Sequence, residues 1–269
     1  MKIKQIHTLH DIQLLHPSGL MIWQKENILS TAWAKIYQAI MRFLFVSPEI
    51  VISPSQWLLD EHVQRGFFQN SKTAVLSNCF TQEIKVDESK IKNSNSKFCF
   101  LYVGQVEAHK GVEFLVAVFL KFLGNHPQAE LSIAGPGSLI DMVKKAAGGR
   151  KEIKILGRKN ESEVEELMLS ADCLVVPSLC YETSPTVIYE AASVRLPVLA
   201  SGIGGIPELI AAVGGVLFEP GNGDDLAKKM EEIMIFPEKT EQIRAREGLY
   251  RKADYISELV SLASSVKNV

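Results

Sequence analysis

From residue 98 onward, short and continuously apolar stretches alternate with single segments of helical pattern, and this alternation restricts the fold more than any other feature. The apolar stretches are FCFLYVG, ELSIAG, EIKILG, DCLVVPS, LPVLAS and GGVLF. Helices are expected at 111–124, 138–147, 162–170 and 186–194, from residue 207, and at 224–235. Strands that are apolar on both faces and joined by single helices form a parallel sheet covered on both sides. The sequence therefore predicts an α/β fold with a complete, doubly wound Rossmann-like domain over 98–238, whose ligands bind beyond the carboxyl ends of its strands.

The first 80 residues predict a smaller α/β unit that is incomplete. Strands are expected at 2–10, in EIVIS and in TAVLSN, with helices at 31–46 and 53–66. Three short strands and two helices leave unpaired edges and little core, so we expect something outside this stretch to complete the unit. Residues 81–97 are rich in Lys, Ser and Asn and predict an exposed linker. Residues 239–269 predict a helical segment.

The helix expected at 31–46 carries an apolar stripe at helical spacing, formed by Trp33, Ile36, Tyr37, Ile40 and Leu44. Such a stripe usually faces the core of its own protein, which is the arrangement we expect. Peripheral contact with a membrane is the alternative, although Lys35 and Arg42 make only a thin basic face. The stretch is too short to cross a bilayer, which needs about 20 apolar residues.

The charge balance and the cysteines exclude several classes of protein. With 29 basic and 31 acidic residues, the net charge of −2 provides no basic field that would attract nucleic acid. The four cysteines form no CxxC pair and predict reduced thiols. Charged and polar side chains interrupt the amino-terminal stretch where the apolar part of a signal peptide would lie. We therefore expect a cytoplasmic protein without a nucleic-acid partner.

Two loops that follow predicted strands carry side chains suited to binding. Lys110 lies in GQVEAHKG, directly before a helix, where an ammonium group and free amides can bind a phosphate; a solvated lysine is the alternative. In ETSPTVIYEA, Glu182 lies in the loop and Glu190 lies eight residues later on the next helix, so the two carboxylates can contact different parts of one elongated ligand. Glu190 has apolar neighbours and needs hydrogen-bond donors, which ligand hydroxyls would supply. Two solvated glutamates are the alternative.

Other motifs give weaker indications. GIGGIPE approximates the dinucleotide fingerprint but has Pro207 at the position of its last glycine, so an NAD-dependent oxidoreductase is only a weak hypothesis. His7, His10, Asp11 and His16 are close in sequence but lack the spacing of a zinc site, and no metal is expected. His10, followed by Asp11 at a strand end, is a better candidate for polar contact with a substrate.

Taken in order, the loop motifs resemble those of the retaining GT-B glycosyltransferases of family four, the glycosyl transferases group 1. The resemblance is carried by VGQVEAHKG, ETSPTVIYEA and PVLASGIGGIPE, covers residues 50–260, and extends more loosely to TLHD near the amino terminus. It implies a GT-B-like fold and the transfer of a sugar from a nucleoside diphosphate (NDP) sugar to a saccharide or lipid-linked acceptor, with retention of anomeric configuration. It further implies no metal or other cofactor, a role in polysaccharide or glycolipid assembly at the inner face of a membrane, and packing of residues 239–269 back onto the amino-terminal part.

The same resemblance assigns roles to individual positions of this sequence. Glu190 matches the residue that binds the ribose hydroxyls of the nucleotide, and Glu182 matches the residue beside the donor sugar. Lys110 matches the lysine that neutralises the diphosphate, and His10 matches a histidine near the sugar and the acceptor, so His10, Lys110 and Glu182 are the expected catalytic residues. The remaining expected donor-binding positions are Gly104, Gln105 and the turn of Gly157 and Arg158 beside the nucleobase, together with the loop of Thr183, Ser184, Pro185 and Thr186. The amides of this loop, apart from the proline, are expected near the sugar and the diphosphate.

The sequence departs from the family pattern in two places. Gln105 stands where the family usually has an arginine, so one cation for the diphosphate is lost. The family usually has further strands and a glycine-rich loop before TLHD, whereas this sequence begins almost at that point. A second hypothesis is therefore a noncatalytic or partner-dependent, nucleotide-sugar-binding half of a split or truncated glycosyltransferase. In the split form, the expected partner is a separate chain that carries the rest of the amino-terminal domain.

Overall fold

The computed structural model describes residues 5–45, 48–78, 97–235 and 252–265. Within these ranges the chain forms a three-stranded and a six-stranded sheet. We call residues 97–235, around the larger sheet, the large unit, and residues 5–45, 48–78 and 252–265, around the smaller sheet, the small unit. The expected linker lies outside the described residues except for Lys97, and so do residues 239–251 of the expected carboxyl-terminal segment.

The sheet of the small unit contains three parallel strands in the order β1-β2-β3. These are β1 (Ile6–Thr8), β2 (Ile50–Ser53) and β3 (Lys72–Val75). Helix α1 (Ala32–Leu44) follows β1 along the chain, and helix α2 (Gln56–Val63) follows β2. One face of the sheet contributes Val51 to an apolar cluster with Leu58, Leu59 and Phe67, so α2 covers that face.

The apolar stripe of α1 points outward, and the expectation that it faces the core is wrong. More than half of the residue surface is exposed at Trp33, Ile36, Ile40 and Leu44 of the stripe, and also at Phe43. Tyr37 is half-buried, and its hydroxyl donates to the Gln13 carbonyl at 2.8 Å. The inner face instead contains Ala34 and Gln38, and the Gln38 side-chain amide donates to the carbonyl oxygens of Leu15 and Leu29 at 3.1 and 2.9 Å. Met41 of α1 also packs against the apolar cluster of the small unit. The helix is thus held by hydrogen bonds and by a few inner contacts outside the predicted stripe.

The sheet of the large unit contains six parallel strands in the order β6-β5-β4-β7-β8-β9. They are β4 (Phe98–Val103), β5 (Ala129–Ala134), β6 (Ile153–Gly157), β7 (Cys173–Val176), β8 (Val198–Ser201) and β9 (Val216–Phe218). Its helices are α3 (Val112–Phe122), α4 (Ile140–Ala147), α5 (Glu161–Ser170), α6 (Thr186–Ser193), α7 (Ile206–Val213) and α8 (Gly223–Ile235). Phe100 packs with one apolar cluster and Leu101 with another, because alternate residues of a strand point to opposite faces. The predicted doubly wound α/β fold is confirmed.

The direction in which strands are added reverses between β4 and β7. From β4 the chain continues to β5 and β6 on one side, then returns to β7 and continues to β8 and β9 on the other side. The loops after β4 and β7 therefore leave the sheet in opposite directions and open a crevice at its carboxyl edge, which is where ligands of such sheets bind. Lys110 follows β4 and Glu182 follows β7, so both motifs lie at this crevice.

The last helix, α9 (Lys252–Ser264), packs on the small unit although it follows the large unit in sequence. Its Tyr255, Leu259 and Leu262 contact the cluster of Ile50, Ile52 and Leu76. Ile50 and Ile52 alternate with Val51 along β2, so α9 covers the sheet face opposite α2. Within the described residues, no helix is both long and apolar enough to cross a membrane.

Candidate functional site

Lys110 and Glu182 are in direct contact at the crevice. Nζ of Lys110 donates to Oε1 of Glu182 at 2.7 Å, and Oγ of Ser178 donates to the same oxygen at 2.8 Å. The side chains of Lys110 and Glu182 are 26% and 14% exposed, so the pair is only partly accessible to water. Two residues expected to act on one ligand thus form a partly shielded ion pair. Ser178, which holds the carboxylate, has no sequence signal beyond its place after a strand.

The position of Lys110 depends on the glycine that follows it. Gly111 has φ of 73°, and a Cβ at this residue would lie 1.9 Å from the Pro177 carbonyl oxygen. Only glycine permits both the left-handed conformation and this close approach. The amide of Leu179 also donates to the His109 carbonyl at 2.9 Å. Backbone contacts therefore hold the loop after β4 against the loop after β7, which brings Lys110 to Glu182.

Gly104 and Gln105 lie where β4 ends. A Cβ at Gly135, after β5, would lie 1.8 Å from the Gly104 carbonyl oxygen, so the two loops pack backbone against backbone. The Gln105 carbonyl accepts a hydrogen bond from the Tyr102 hydroxyl at 2.6 Å, while the Gln105 side chain is exposed. Burial, with Glu182 nearby, raises the pKa of Tyr102 above its usual value and keeps this hydroxyl a donor. The loop is fixed through its backbone.

The loop from Glu182 to α6 uses its side chains for internal contacts. Ser184 is buried, and its hydroxyl is 2.8 Å from the Tyr189 hydroxyl, so this side chain supports the fold. Pro185 directly precedes α6, and Thr186 is the first residue of that helix. Backbone amides at the start of a helix are available to an anionic ligand, and they are the part of this loop that can bind one.

Glu190 is half-buried on α6, one turn beyond Thr186. Burial raises the pKa of Glu190 above its usual value, whereas a hydrogen bond with the Thr186 side chain acts in the opposite direction. A partly desolvated carboxylate is stabilised by additional hydrogen-bond donors, and hydroxyl groups can supply them. The environment of Glu190 therefore fits a ligand that carries neighbouring hydroxyl groups.

Gly157 is the last residue of β6 and Arg158 follows it, and β6 is separated from β4 by β5. This spacing places them about 10 Å from the end of β4, along the edge of the sheet. Gly157 has φ of 66°, and a Cβ there would have no heavy atom within 4 Å. The Arg158 side chain is exposed. The space next to Gly157 is therefore open at the position of a Cβ.

His10, which follows β1, meets the same loop from the small unit. The Thr183 hydroxyl donates to the His10 carbonyl oxygen at 3.0 Å, and the His10 residue is exposed. Of the site residues expected from the sequence, His10 and Thr183 are therefore neighbours, as are Lys110 and Glu182.

Sequence reasoning missed the contacts that attach the Glu182 loop to the small unit. Ile22 forms an antiparallel bridge with Cys180, the Tyr181 amide donates to the Met21 carbonyl at 2.8 Å, and the Trp23 amide donates to the Leu179 carbonyl at 2.9 Å. The Cys180 thiol lies 3.7 Å from the Glu182 carboxylate, and burial raises its pKa to about 12, so it stays neutral. Residues 21–23 have no pattern that predicts this pairing.

Among the residues that the structure describes, no three His, Cys, Asp or Glu side chains form a group that could hold a metal ion. His7, His10, Asp11 and His16 lie within the described part of the chain. The His7 ring lies near the rings of Phe45 and Phe68, with centroids 5.3 and 5.9 Å away.

Comparison with known sequences identifies the family. The profile of the glycosyl transferases group 1 matches residues 83–247, well over half of the chain. An uncharacterised glycosyltransferase of Methanocaldococcus jannaschii is 34% identical over 138 residues, which are 50% of this chain and 35% of that protein. The sulfoquinovosyl transferase of Arabidopsis thaliana is 28% identical over 208 residues, which are 73% of this chain and 40% of that protein. The chain spans less than half the length of the curated relatives it matches.

Solved structures share the fold. Anabaena HepE, in complex with UDP and glucose, superposes with a TM-score of 0.76 at 20% identity, covering 98% of this chain and 72% of that chain. Sucrose-phosphate synthase from Thermosynechococcus elongatus superposes with a TM-score of 0.74 at 19% identity, covering 99% of this chain and 68% of that chain. The predicted GT-B-like fold is confirmed, and with the profile match it follows that the chain belongs to the glycosyl transferases group 1.

Proposed function

We propose that this chain binds an NDP-sugar in the crevice between β4 and β7 and transfers the sugar, with retention of anomeric configuration, to a saccharide or lipid-linked acceptor. The observation that carries the proposal is the Lys110–Glu182 contact at the reversal of strand order, with the half-buried Glu190 on the helix that follows. A relative named as a sulfoquinovosyl transferase and a structural neighbour in complex with UDP support this class of donor.

The Lys110 ammonium group suits the charge that develops in this reaction. The bond between the anomeric carbon and the phosphate oxygen breaks with its electron pair on the diphosphate, a bond to the acceptor oxygen forms, and the acceptor proton passes to the leaving diphosphate. Lys110 has three N–H donors, of which one contacts Glu182, so two remain for diphosphate oxygens. A fixed cation and loop amides stabilise the leaving charge. We propose that they fulfil the role of a divalent metal, and that activity persists in a chelator.

The remaining site residues divide the donor between them in this proposal. Glu182, held by Ser178 and Lys110, lies beside the sugar, and the Glu190 carboxylate accepts hydrogen bonds from the ribose hydroxyls. The open turn of Gly157 and Arg158 receives the nucleobase, and His10 lies on the acceptor side. The amides at the start of α6 contact the sugar and the diphosphate.

Calorimetric titration with UDP, GDP, ADP and NAD tests the donor assignment. One nucleoside diphosphate should bind, and Glu190→Ala should weaken its affinity by about 10- to 100-fold, since a hydrogen bond to a charged group contributes about 1.5–3 kcal/mol. Glu166→Ala, an exposed carboxylate on α5, is the matched control and should bind as the parent chain does. Equal affinity of Glu190→Ala and the parent would reject the role of Glu190, and saturable binding of NAD alone would favour an oxidoreductase.

A second candidate function is a noncatalytic or partner-dependent nucleotide-sugar-binding half. The observation that favours it is Gln105, whose exposed side chain offers a neutral amide where the family usually has a guanidinium group. Such a chain binds the nucleoside diphosphate but neither transfers nor hydrolyses the sugar. Release of free NDP from UDP-glucose, GDP-mannose or ADP-glucose by the purified chain would exclude this candidate.

We further propose a cytoplasmic enzyme that touches the inner face of a membrane, where lipid-linked acceptors are accessible. The outward apolar face of α1 supports this, because a contiguous exposed apolar patch usually contacts something. The competing occupant of that face is a separate chain that completes the small unit. The parent chain should sediment with vesicles of phosphatidylcholine and phosphatidylglycerol, and Ile36→Glu should not; this result supports membrane contact through α1. Failure of the parent chain to sediment with the vesicles contradicts it.

A further inference from the structure

A carboxylate of the large unit caps a helix of the small unit. Oε2 of Glu208, on α7, accepts from the Gln56 amide at 2.7 Å, and Oε1 accepts from the Trp57 amide at 2.7 Å. These are the first two amides of α2, which have no partners within the helix. The third amide, of Leu58, donates to Oγ of Ser55 at 3.3 Å. We call the contact of Glu208 with the amides of Gln56 and Trp57 the interunit cap.

The interunit cap is favourable for two physical reasons. Both hydrogen bonds are charge-assisted and end on separate carboxylate oxygens, which is the strong form of such a contact. The negative charge also lies at the amino-terminal end of α2, where the helix dipole is positive. The side chain of Ser55 satisfies only one of the three amides, so α2 relies on the large unit for the other two.

Gly205 allows α7 to come this close to α2. A Cβ at Gly205 would lie 2.2 Å from the Thr183 carbonyl oxygen and 2.9 Å from the Ser55 side chain. The Gly205 amide donates to the Glu182 carbonyl at 2.7 Å. The start of α7, the start of α2 and the Glu182 loop therefore meet at one glycine.

The residue beside Glu182 rests on the capped turn. The rings of Trp57 and Tyr181 stack with their centroids 5.5 Å apart and their planes 18° apart. The Tyr181 hydroxyl donates to Glu26 of the small unit at 2.9 Å. Glu208 thus holds the backbone of Trp57, and the ring of Trp57 contacts the residue next to Glu182.

We propose that Glu208 is a positioning residue, which joins the large unit to the small unit through the interunit cap and so holds the Glu182 loop in place for sugar transfer. The cap itself is a property of the fold, and only its effect on transfer rests on the proposed function. In the proposed function, Lys110 and Glu190 of the large unit bind the nucleotide, and neither residue belongs to α2. Loss of the cap should therefore impair the transfer step and spare nucleotide affinity.

Hydrogen exchange of the full chain tests the cap without any ligand. In Glu208→Ala, the amides of Gln56 and Trp57 should exchange about 10- to 100-fold faster than in the parent, and the amides of residues 179–182 should also become faster. Glu208→Gln retains one carbonyl acceptor, so its exchange rates at Gln56 and Trp57 should lie between those of the parent and those of Glu208→Ala. Glu166→Ala should exchange as the parent does. Unchanged exchange at Gln56 and Trp57 in Glu208→Ala would overturn the proposal.

Gln56→Pro removes a donor of the cap instead of the acceptor. Proline suits the first position of a helix, and Ser55 before it is already extended, so the variant should fold. In the Gln56→Pro background the Trp57 amide can still donate to Oε1 of Glu208, so Glu208→Ala should still raise exchange at Trp57. No increase at Trp57 in this background would show that Glu208 acts elsewhere, which overturns the proposal.

The kinetic readout separates positioning from binding. Glu208→Ala should lower kcat for transfer by about tenfold or more, while the Kd for the nucleoside diphosphate changes by less than about twofold. A parallel loss of nucleotide affinity, or an unchanged kcat, would contradict the positioning role. If the parent chain binds none of the nucleoside diphosphates, the proposed function fails, and the exchange experiments still decide whether the cap exists.

Discussion

Replacing Lys110 with methionine removes the ammonium group that contacts Glu182 and keeps most of the length of the side chain. The contact is 2.7 Å long, and the two side chains are 26% and 14% exposed. A hydrogen bond to a charged group contributes about 1.5–3 kcal/mol when it is shielded, and partial exposure of the pair to water reduces this value. We therefore expect Lys110→Met to lower the free energy of unfolding by about 1–2 kcal/mol, as measured by urea denaturation.

The same substitution should weaken binding of the nucleoside diphosphate by about 10- to 100-fold, because the ammonium group is also the proposed partner of the diphosphate. In Lys110→Met combined with Glu182→Gln, no unpaired carboxylate remains, so much of the lost stability should return. The lost nucleotide affinity should not return, since the cation is still missing. Calorimetry on both variants measures the two effects separately.

Lys154 offers a matched control at the opposite end of the sheet. Its Nζ contacts Oε2 of Glu130 at 2.6 Å, near the amino ends of β5 and β6. Lys154→Met should lower stability by no more than Lys110→Met does and leave nucleotide affinity unchanged. Full affinity in Lys110→Met, or recovery of affinity when Glu182→Gln is added, would refute the assignment of Lys110 to the diphosphate.

Three further substitutions test other parts of the structure. Gly111→Ala places a Cβ 1.9 Å from the Pro177 carbonyl oxygen at φ of 73°. Its loss of stability in urea denaturation should be clearly greater than that of Gly149→Ala, where φ is 70° but a Cβ would have no heavy atom within 4 Å. Equal losses would mean that backbone strain alone matters. Burial lowers the pKa of His62 from 6.5 to about 4, so folding favours the neutral ring. The free energy of unfolding should therefore fall by up to about 3 kcal/mol as pH decreases from 6.5 towards 4. Urea titrations at about pH 7 and about pH 4.5 measure this loss, and His62→Gln should lack it. The same acid dependence in both proteins would contradict the assignment. Gln105→Arg restores a cation at an exposed position and should increase the affinity for the nucleoside diphosphate by about tenfold, as measured by calorimetry in low salt. The increase should be smaller in high salt. Unchanged affinity would argue against a diphosphate beside this loop.

The large unit was predictable because its strands are buried on both faces. Runs such as FCFLYV leave no face for water, so their number and spacing indicate a covered parallel sheet. Parallel strands also place their following loops on one edge, which explains why Lys110 and Glu182 could be assigned to one site. Their direct contact could not be predicted, because the direction of each side chain depends on the close approach at Gly111.

Contacts between the two units left no pattern in the sequence. Glu208 reads as an ordinary acidic residue in the first turn of α7, where the dipole of its own helix already favours it. Its use as a cap for α2 depends on how the units pack. The outward stripe of α1 failed as a core prediction for a related reason: periodicity shows that a face is apolar, and Gln38 on the other face makes the hydrogen bonds that orient the helix.

The outward face of α1 also determines how binding to this protein is best measured. Dyes that report thermal unfolding become fluorescent on apolar surfaces, and the folded chain already presents one in the five exposed side chains of α1. A dye would therefore give a high signal before heating and a small change at the transition. Trp33 is itself 55% exposed, so part of the intrinsic fluorescence reports the solvent around α1 and not the core. Calorimetric titration measures the heat of binding and therefore avoids both effects. A dye assay becomes informative once Ile36 and Phe43 are replaced by polar residues.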